Sequence, residues 1–340
     1  MLAATTQMIE NGAKLNAHEM EITVAFMLDG KAGESESIAF LHALSKRGET
    51  ATELRGAYHA IMQRSIAFDA PRDAIDVCGT GGDGLNTLNI STTVAFILAS
   101  CGATVVKHGN RAITSQSGAS DVLAALGIPA TLPISFWQNI IQENHIAFLH
   151  APLFHPRLCA LSTIRKKIGT HSIFNLLGPL CNPARVNNQL VGVYAKDKIS
   201  IIAETLMTRK SIQAWVVHGE EGGDEISISG TTSCAKISDT TVDYEELSPS
   251  DAGLESYPQK SIQGLTPESN AHAMIALFNH PEPSGYYYAS LLNAAAGLMI
   301  AGRVQSLPDG VALAKEALDS GKTFALLRAI QTKAEAAKNA

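Results

Sequence analysis

The chain has 340 residues, 46% of them hydrophobic and 17% charged, with a formal net charge of −6. That much apolar material builds a substantial core and excludes wholesale disorder, and the acidic balance argues against a general nucleic-acid surface. The length favours one large domain with a smaller one, or two of medium size. Five cysteines, Cys78, Cys101, Cys159, Cys181 and Cys234, are scattered and form no CxxC pair. Neither a disulfide framework nor a zinc knuckle is expected from them, and a reducing cytoplasm fits best. The first residues, MLAATTQMIENGAKLN, lack a basic segment followed by a sustained apolar run, so no secretory signal is expected.

Residues 1 to about 65 carry helical periodicity with no obvious strand. EMEITVAFMLDG, SIAFLHALSKRG and TELRGAYHAIMQR end near glycine or basic residues, as helix C-termini do. After the turn-rich FDAPRD the rhythm alternates between strand and helix: AIDVCG, STTVAFILASCG, ATVVKHG, SGASDVLAALG, ISFWQNIIQENH and IAFLHA, then QLVGVY, ISIIAETLMTRK and AWVVHG. The predicted fold class is therefore α/β, a small all-helical N-terminal domain plus a large domain with a mostly parallel central sheet flanked by helices. Such sheets hold ligands at the carboxyl ends of their strands.

Residues 152–184 interrupt the alternation with a helical HPRLCALSTIRKKIG and a glycine- and proline-punctuated connection, FNLLGPLCNPA. This insertion is expected to pack back on the N-terminal helices and leave a cleft. The domains then run 1–68 joined in space by 152–184, and 69–151 with 185–340. The most apolar stretch, YYYASLLNAAAGLMIAG, is interrupted by Asn293 and short for a bilayer span; it reads as a buried core helix in a soluble protein with no membrane contact. The final AEAAKNA reads as a fraying tail.

The stretch DVCGTGGDGLNTLNIST, residues 76–92, is a strand, a glycine loop and a helix start. Such a junction offers free backbone N–H groups and a helix dipole to an anion. Gly79, Gly81 and Gly84 match the dinucleotide fingerprint, which also wants an acidic residue roughly 20 positions on for the ribose hydroxyls. Between Asp83 and Asp121 there is no Asp or Glu. The next strand instead ends in Lys107, His108 and Arg111, and Asp83 within the loop would repel a pyrophosphate unless it faces hydroxyls or a metal. Asn89, Ser91 and Thr92 are good N-cap residues and equally good donors to phosphate or Mg²⁺. The pocket suits a small phosphorylated sugar with a metal better than a nicotinamide cofactor.

Two further features admit two readings each. Glu220, Glu221, Asp224 and Glu225 form either a solvated acidic turn or a metal site. Adjacent Asp224 and Glu225 would face opposite ways in a regular strand, so sharing metals requires a turn at Gly222-Gly223. Arg165 falls on the helical stripe of Leu158, Leu161 and Ile168; it either snorkels to solvent or is a buried guanidinium awaiting a carboxylate. His108 and His155 receive no proton-transfer role.

GTGGDGLNTLNIST, KHGNRAITSQSGASDVLAALGI, IRKKIGTHSIFNLLGPLCNPA and VVHGEEGGDEIS, in this order, closely resemble the anthranilate phosphoribosyltransferase family, whose architecture is shared with nucleoside phosphorylases. The resemblance covers nearly the whole chain. It implies transfer of 5-phosphoribosyl from phosphoribosyl pyrophosphate (PRPP) to the amine of anthranilate, giving N-(5-phosphoribosyl)anthranilate and pyrophosphate in tryptophan biosynthesis, with no protein nucleophile. It implies that Gly79, Gly82, Asp83, Thr87, Asn89, Ser91, Thr92, Lys107, Asn110, Ser115 and Ala119 surround PRPP. Gly79, Asn110 and Arg165 would meet anthranilate, Arg165 through the carboxylate. Two Mg²⁺ ions per subunit would be held by Asp224 with Glu225, and by Glu225 with Ser91. A homodimer through the helical units is implied too.

This chain departs from the family pattern at Gln116, where many relatives carry Lys; at Ala119-Ser120, a reversal of the common Ser-Ala; and at His171-Ser172, in place of Arg-Thr. The alternatives are a pyrimidine nucleoside phosphorylase-like transferase and a non-catalytic paralogue that binds phosphoribosyl ligands, with an NADP oxidoreductase more distant. A non-catalytic paralogue is expected to lose the metal carboxylates, which this chain keeps.

Overall fold

The computed structural model describes residues 1–112, 116–159, 161–209 and 212–338. Four helices come first: α1 (Leu2–Glu10), α2 (Ala17–Leu28), α3 (Glu34–Arg47) and α4 (Ala51–Met62). Their ends are written locally. Asn16 and Glu19 form a reciprocal capping box at the start of α2, and Thr50 and Glu53 do the same for α4. Glu53 is fully buried, which is tolerable only because its carboxylate also accepts from the Leu15 N–H (2.9 Å) and pairs with Arg47.

The α/β portion then runs β1 (Ile75–Gly79), α5 (Ile90–Ser100), β2 (Val105–Gly109), α6 (Ala119–Ala125), α7 (Ile134–Asn144) and β3 (Ile146–His150). Short helices α8 (Ala151–Phe154), α9 (Pro156–Cys159), α10 (Ser162–Ile168) and α11 (Ile173–Leu180) follow, and then β4 (Asn188–Gly192), α12 (Lys198–Leu206) and β5 (Gln213–Gly219). The chain closes with β6 (Thr232–Ser238), β7 (Thr241–Leu247), α13 (Pro267–Asn279), α14 (Gly285–Ile300), α15 (Leu307–Asp319) and α16 (Lys322–Lys338).

The seven strands lie in the order β3-β2-β1-β4-β5-β6-β7, parallel as far as β5 and antiparallel beyond. The order reverses direction between β1 and β4, which opens a crevice at their carboxyl ends. Side chains alternate across the sheet: Val77, Leu190 and Val217 enter one core with α5 and α14, while Cys78, Val191 and Val216 enter another with α1–α4 and α10–α12. The inserted segment does pack on the N-terminal helices, α10 against α3 and α11 against α3 and α4. Helix α12, outside that segment, packs on α4 as well.

Several elements differ from the sequence reading. FNLLGPLCNPA is largely the helix α11, opened by the Ser172 N–H donating to Asn175 Oδ1 (3.1 Å), with Pro179 in its last turn, where the missing N–H forfeits one i→i−4 bond just before the helix ends. HPRLCALSTIRKKIG is two short helices rather than one. AEAAK continues α16, anchored by buried Ala334, and only the last two residues lie outside the described ones. The β6–β7 hairpin was unanticipated because its turn uses Asp239 at φ +51° instead of an Asn-Gly or Asp-Gly signal. The apolar α14 is a core helix with all but Tyr288 and Met299 buried, and no helix among the described residues is long and apolar enough to cross a membrane.

Where α2 crosses α4, a Cβ on Gly56 would stand 2.2 Å from the Ala17 carbonyl oxygen and 2.9 Å from Met20 Cβ. Glycine-to-alanine changes inside helices ordinarily gain about 0.5–1 kcal/mol. Overpacking here costs roughly 1–3 kcal/mol and outweighs that gain. Gly56→Ala is therefore expected to lower the urea unfolding midpoint; a midpoint equal to or above that of the parent would show that the crossing relaxes freely.

Candidate active site

A cleft of about 540 Å³ opens at the carboxyl ends of β1 and β2 and is closed on its far side by α8–α11. The loop leaving β1 carries a run of left-handed conformations, Gly81 (φ +64°), Gly82 (+80°), Gly84 (+77°) and Asn86 (+50°). Side chains at the glycine positions would be strained, and their absence brings backbone to the surface of the cleft. Among the described residues, the N–H groups of Gly82, Asp83 and Gly84 have no protein acceptor. An anion finds such donors free.

Gly81 is different, because its N–H donates to Asp224 Oδ2 at 2.6 Å. Asp224 reaches there because the chain leaving β5 reverses at Gly219–Gly223, with Gly222 at φ +96°, and then runs irregularly. The turn at Gly222-Gly223 that metal sharing requires is thus present, and Asp224 and Glu225 both line the cleft. Asp224 is wedged between two strand ends: a Cβ on Gly79 would lie 2.1 Å from its Oδ2, and one on Gly192 would lie 1.5 Å from its carbonyl oxygen. Burial pushes the Asp224 carboxyl up to about 7, and neighbouring Asp83 adds to the rise. Glu225 is held well above the ordinary carboxylate range, first by burial and then by Asp224 and Asp83. Of the other two carboxylates in the turn, Glu220 accepts from the Thr231 hydroxyl at 2.8 Å, and neither it nor Glu221 reaches the cleft.

The remaining expected residues are placed as follows. Gly79, Gly82, Asp83, Thr87, Asn89 and Ser91 line the loop side. Thr92 does not: it is fully buried in the first turn of α5. Asn89 makes no side-chain cap; its amide joins loops instead, accepting from Ser117 Oγ and Asn270 Nδ2 (both 3.0 Å). Lys107, Asn110 and Ala119 line the cleft, and Ser115 lies outside the described residues. Lys107 is 3% exposed and its Nζ donates to the Val77 carbonyl at 2.6 Å, beneath the loop, where its charge opposes the rise of Asp76, Asp224 and Glu225. The Ser120 hydroxyl, displaced by one position, is bonded to His150 Nδ1 at 2.8 Å.

On the opposite wall, Arg165 lines the cleft with its guanidinium 5.8 Å from the Phe174 ring centroid. Burial lowers its pKa, and among the described residues no carboxylate pairs with it. A desolvated guanidinium without a counter-ion can take a carboxylate from a ligand. Beside it His108 and His155 meet edge to face at 5.2 Å, His108 Nδ1 toward the Gly178 carbonyl (3.3 Å) and His155 Nε2 toward that of Cys181 (2.8 Å). Burial pushes His108 down to about 3, and burial lowers His155 as well.

Two positioning features escaped the sequence reading. Buried Asn293 on α14 accepts from the Ile226 N–H and donates to the Ile226 carbonyl, both at 3.0 Å, pinning the peptide that follows Glu225. Buried Asp76 in β1 accepts from Asn182 Nδ2 (2.8 Å) and from the His108 N–H (3.2 Å), fixing the register of the two strand ends that bear the site. A polar residue inside an apolar run was the only available signal for either.

Residues 71–324 match the profile of the glycosyl transferase family, a/b domain. An anthranilate phosphoribosyltransferase from Rhodopseudomonas palustris (strain BisA53) is 43% identical over 94% of this chain and 94% of its own length. The chain belongs to the anthranilate phosphoribosyltransferase family. The crystal structure of the family member from Thermus thermophilus superposes with a TM-score of 0.91 at 32% identity, covering 97% of this chain and 99% of that one. The Saccharomyces cerevisiae member, solved in complex with PRPP and Mg, gives a TM-score of 0.88 at 27% identity over 98% of both chains. In this anthranilate phosphoribosyltransferase fold the helical start and the inserted helices are thus integral parts.

The buried histidines make a pH-dependent difference. His108 stays neutral in the fold, whereas an unfolded histidine takes up a proton near 6.5. The stability that neutral His108 confers is thus present above about pH 6.5 and is lost as pH falls toward about 3. Buried carboxylates act in the opposite direction, so the comparison must be made between variants. The destabilisation caused by His108→Asn is expected to shrink below pH 6.5, by up to about 1.4 kcal/mol per pH unit. Urea denaturation of both proteins at pH 7.5 and 5.5 checks this; a constant difference would contradict it.

Proposed function

We propose that the cleft transfers the phosphoribosyl group of PRPP to the amine of anthranilate, releasing pyrophosphate. The observation that carries this reading is one continuous cleft with two opposite demands. Unclaimed loop N–H groups and two half-buried carboxylates stand on one wall, and a half-buried guanidinium without a carboxylate partner among the described residues stands on the other. The relatives' activity and the yeast complex with PRPP and Mg support it.

The donor set fits Mg²⁺. Asp224, Glu225 and the Ser91 hydroxyl offer hard oxygen atoms to the cleft, and the raised pKa of both carboxyls, caused first by desolvation and then by neighbouring carboxylates, is the kind of charge imbalance that a cation relieves. Among the described residues no three His, Cys, Asp or Glu side chains converge, so an ion here would need substrate phosphate and water to complete its shell. We assign Asp224 with Glu225 to one Mg²⁺ and Glu225 with Ser91 to a second. Mg²⁺ would supply charge neutralisation of the departing pyrophosphate. The protein's own part is positioning: Gly82, Asp83 and the Asn89–Ser91 segment orient the donor, Gly79, Thr87, Lys107, Asn110 and Ala119 surround it, and Arg165 turns the aromatic acid so that its amine faces the anomeric carbon. An aromatic amine needs no protein nucleophile.

Residues 1–68 with 152–184 would form the acceptor-side unit, and 69–151 with 185–340 the donor-side unit, the packing of α10 and α11 on α3 and α4 supporting that division. A homodimer through the helical unit is proposed from the family resemblance. The five unpaired cysteines favour a cytoplasmic setting.

A fluorimetric assay with anthranilate, PRPP and Mg²⁺ tests the activity directly; no anthranilate consumption would reject it. Asp224→Asn is expected to abolish the response to Mg²⁺, and an unchanged magnesium titration would remove this residue from the metal site. Arg165→Ala is expected to raise the KM for anthranilate about 10- to 150-fold, the equivalent of roughly 1.5–3 kcal/mol for a charge-assisted bond. If the KM for PRPP moved in its place, the acceptor assignment would be wrong.

A further inference from the structure

His171 lies between α10 and α11, on the acceptor side, yet its ring reaches the glycine loop: Nε2–H donates to the Gly82 carbonyl at 2.9 Å. The ring also stacks face to face on Tyr194, centroids 3.9 Å apart and planes at 4°. Tyr194 is tied to the start of the same loop, its N–H donating to Thr80 Oγ1 (3.0 Å), while the Thr80 N–H donates to the Gly192 carbonyl (3.0 Å). At the other end the His171 carbonyl accepts from Ser45 Oγ of α3 at 3.1 Å. Thr80, Tyr194, His171 and Gly82 thus close a ring around the loop, and that ring is anchored in the helical bundle.

We propose that His171 is a positioning residue for the donor: it sets the plane of the Gly82–Asp83 peptide and so holds a phosphate-facing N–H in place. In a trans peptide the carbonyl and the following N–H point to opposite sides. With the Gly82 carbonyl engaged by His171, the Asp83 N–H is turned away from the imidazole, and it has no acceptor among the described residues. Left-handed glycines (Gly82 is at φ +80°) are otherwise free to flip such a peptide, which would present the carbonyl to an anion. The fit is close enough that a Cβ on Gly82 would stand 2.5 Å from His171 Nε2. Tyr194 supplies the flat surface that keeps the imidazole aimed.

The inference rests on reading the glycine loop as the PRPP site, and the test separates the two. PRPP with Mg²⁺ is titrated calorimetrically, without anthranilate, into the parent protein, His171→Phe and Tyr194→Leu; KM values for both substrates are then measured. His171→Phe keeps a ring to stack on Tyr194 but has no N–H. It is expected to weaken PRPP binding roughly three- to tenfold, the range of one net hydrogen bond. The anthranilate KM should stay within about twofold at saturating donor. Tyr194→Leu, which keeps the N–H but loses the stack, should shift PRPP affinity in the same direction and by less, and it serves if His171→Phe does not fold. His171→Phe binding PRPP as the parent does, or both KM values rising together, would overturn the inference while leaving the donor site intact. A parent protein that binds no PRPP would remove the site and the inference together.

Discussion

The site depends on two adjacent, half-buried carboxylates held at the point where the sheet changes direction. Asp224 can sit there only because Gly79 and Gly192, at the ends of β1 and β4, leave no Cβ in its way, and because the Gly81 N–H bonds its oxygen. Buried acids without a fixed partner raise their pKa and take up a proton. A divalent ion beside such acids reverses that balance. Lys107, bonded to the Val77 carbonyl beneath the loop, opposes the rise of Asp224. Asn293 holds the following peptide, so the carboxylates cannot relax by retreating.

The opposite wall repeats the logic with the sign inverted. Arg165 is desolvated beside Phe174 and lacks a protein counter-ion among the described residues. Each wall therefore carries charge that a ligand of opposite sign can balance. Placing both in one cleft turns two binding sites into a reacting geometry, and the contribution of the protein is then mainly orientation. Contacts that cross between the walls, such as His171 to Gly82, relate the helical bundle to the donor loop.

Much of this was legible in the residues. Three of the N-terminal helices, the alternation from Ile75 to Gly219 and the glycine loop follow from periodicities and turn chemistry that act over a few positions. The stripe that singled out Arg165 supposes one continuous helix, whereas Leu158 and Arg165 lie on separate short helices, α9 and α10. What eluded the reading was of two kinds. One was local but atypical: Pro179 inside α11, or a hairpin turning at Asp239 without a glycine. The other was partner-dependent: Asn89 looked like a helix cap but its side chain bridges Ser117 and Asn270, and nothing local to Lys107 announces its bond to the Val77 carbonyl.

By itself the sequence determined the strand and helix periods, the conformations open to the glycine loop and the kinds of charge available, because those depend on neighbours along the chain. Only the tertiary structure decided which charges meet. Asp224 finds Gly81 across 143 positions, and Asn293 finds Ile226 across 67. Contacts that distant are selected by sheet order and packing, and no local pattern encodes them. Whether an acidic turn is a solvated surface or half of a metal site is set by the glycine it happens to face.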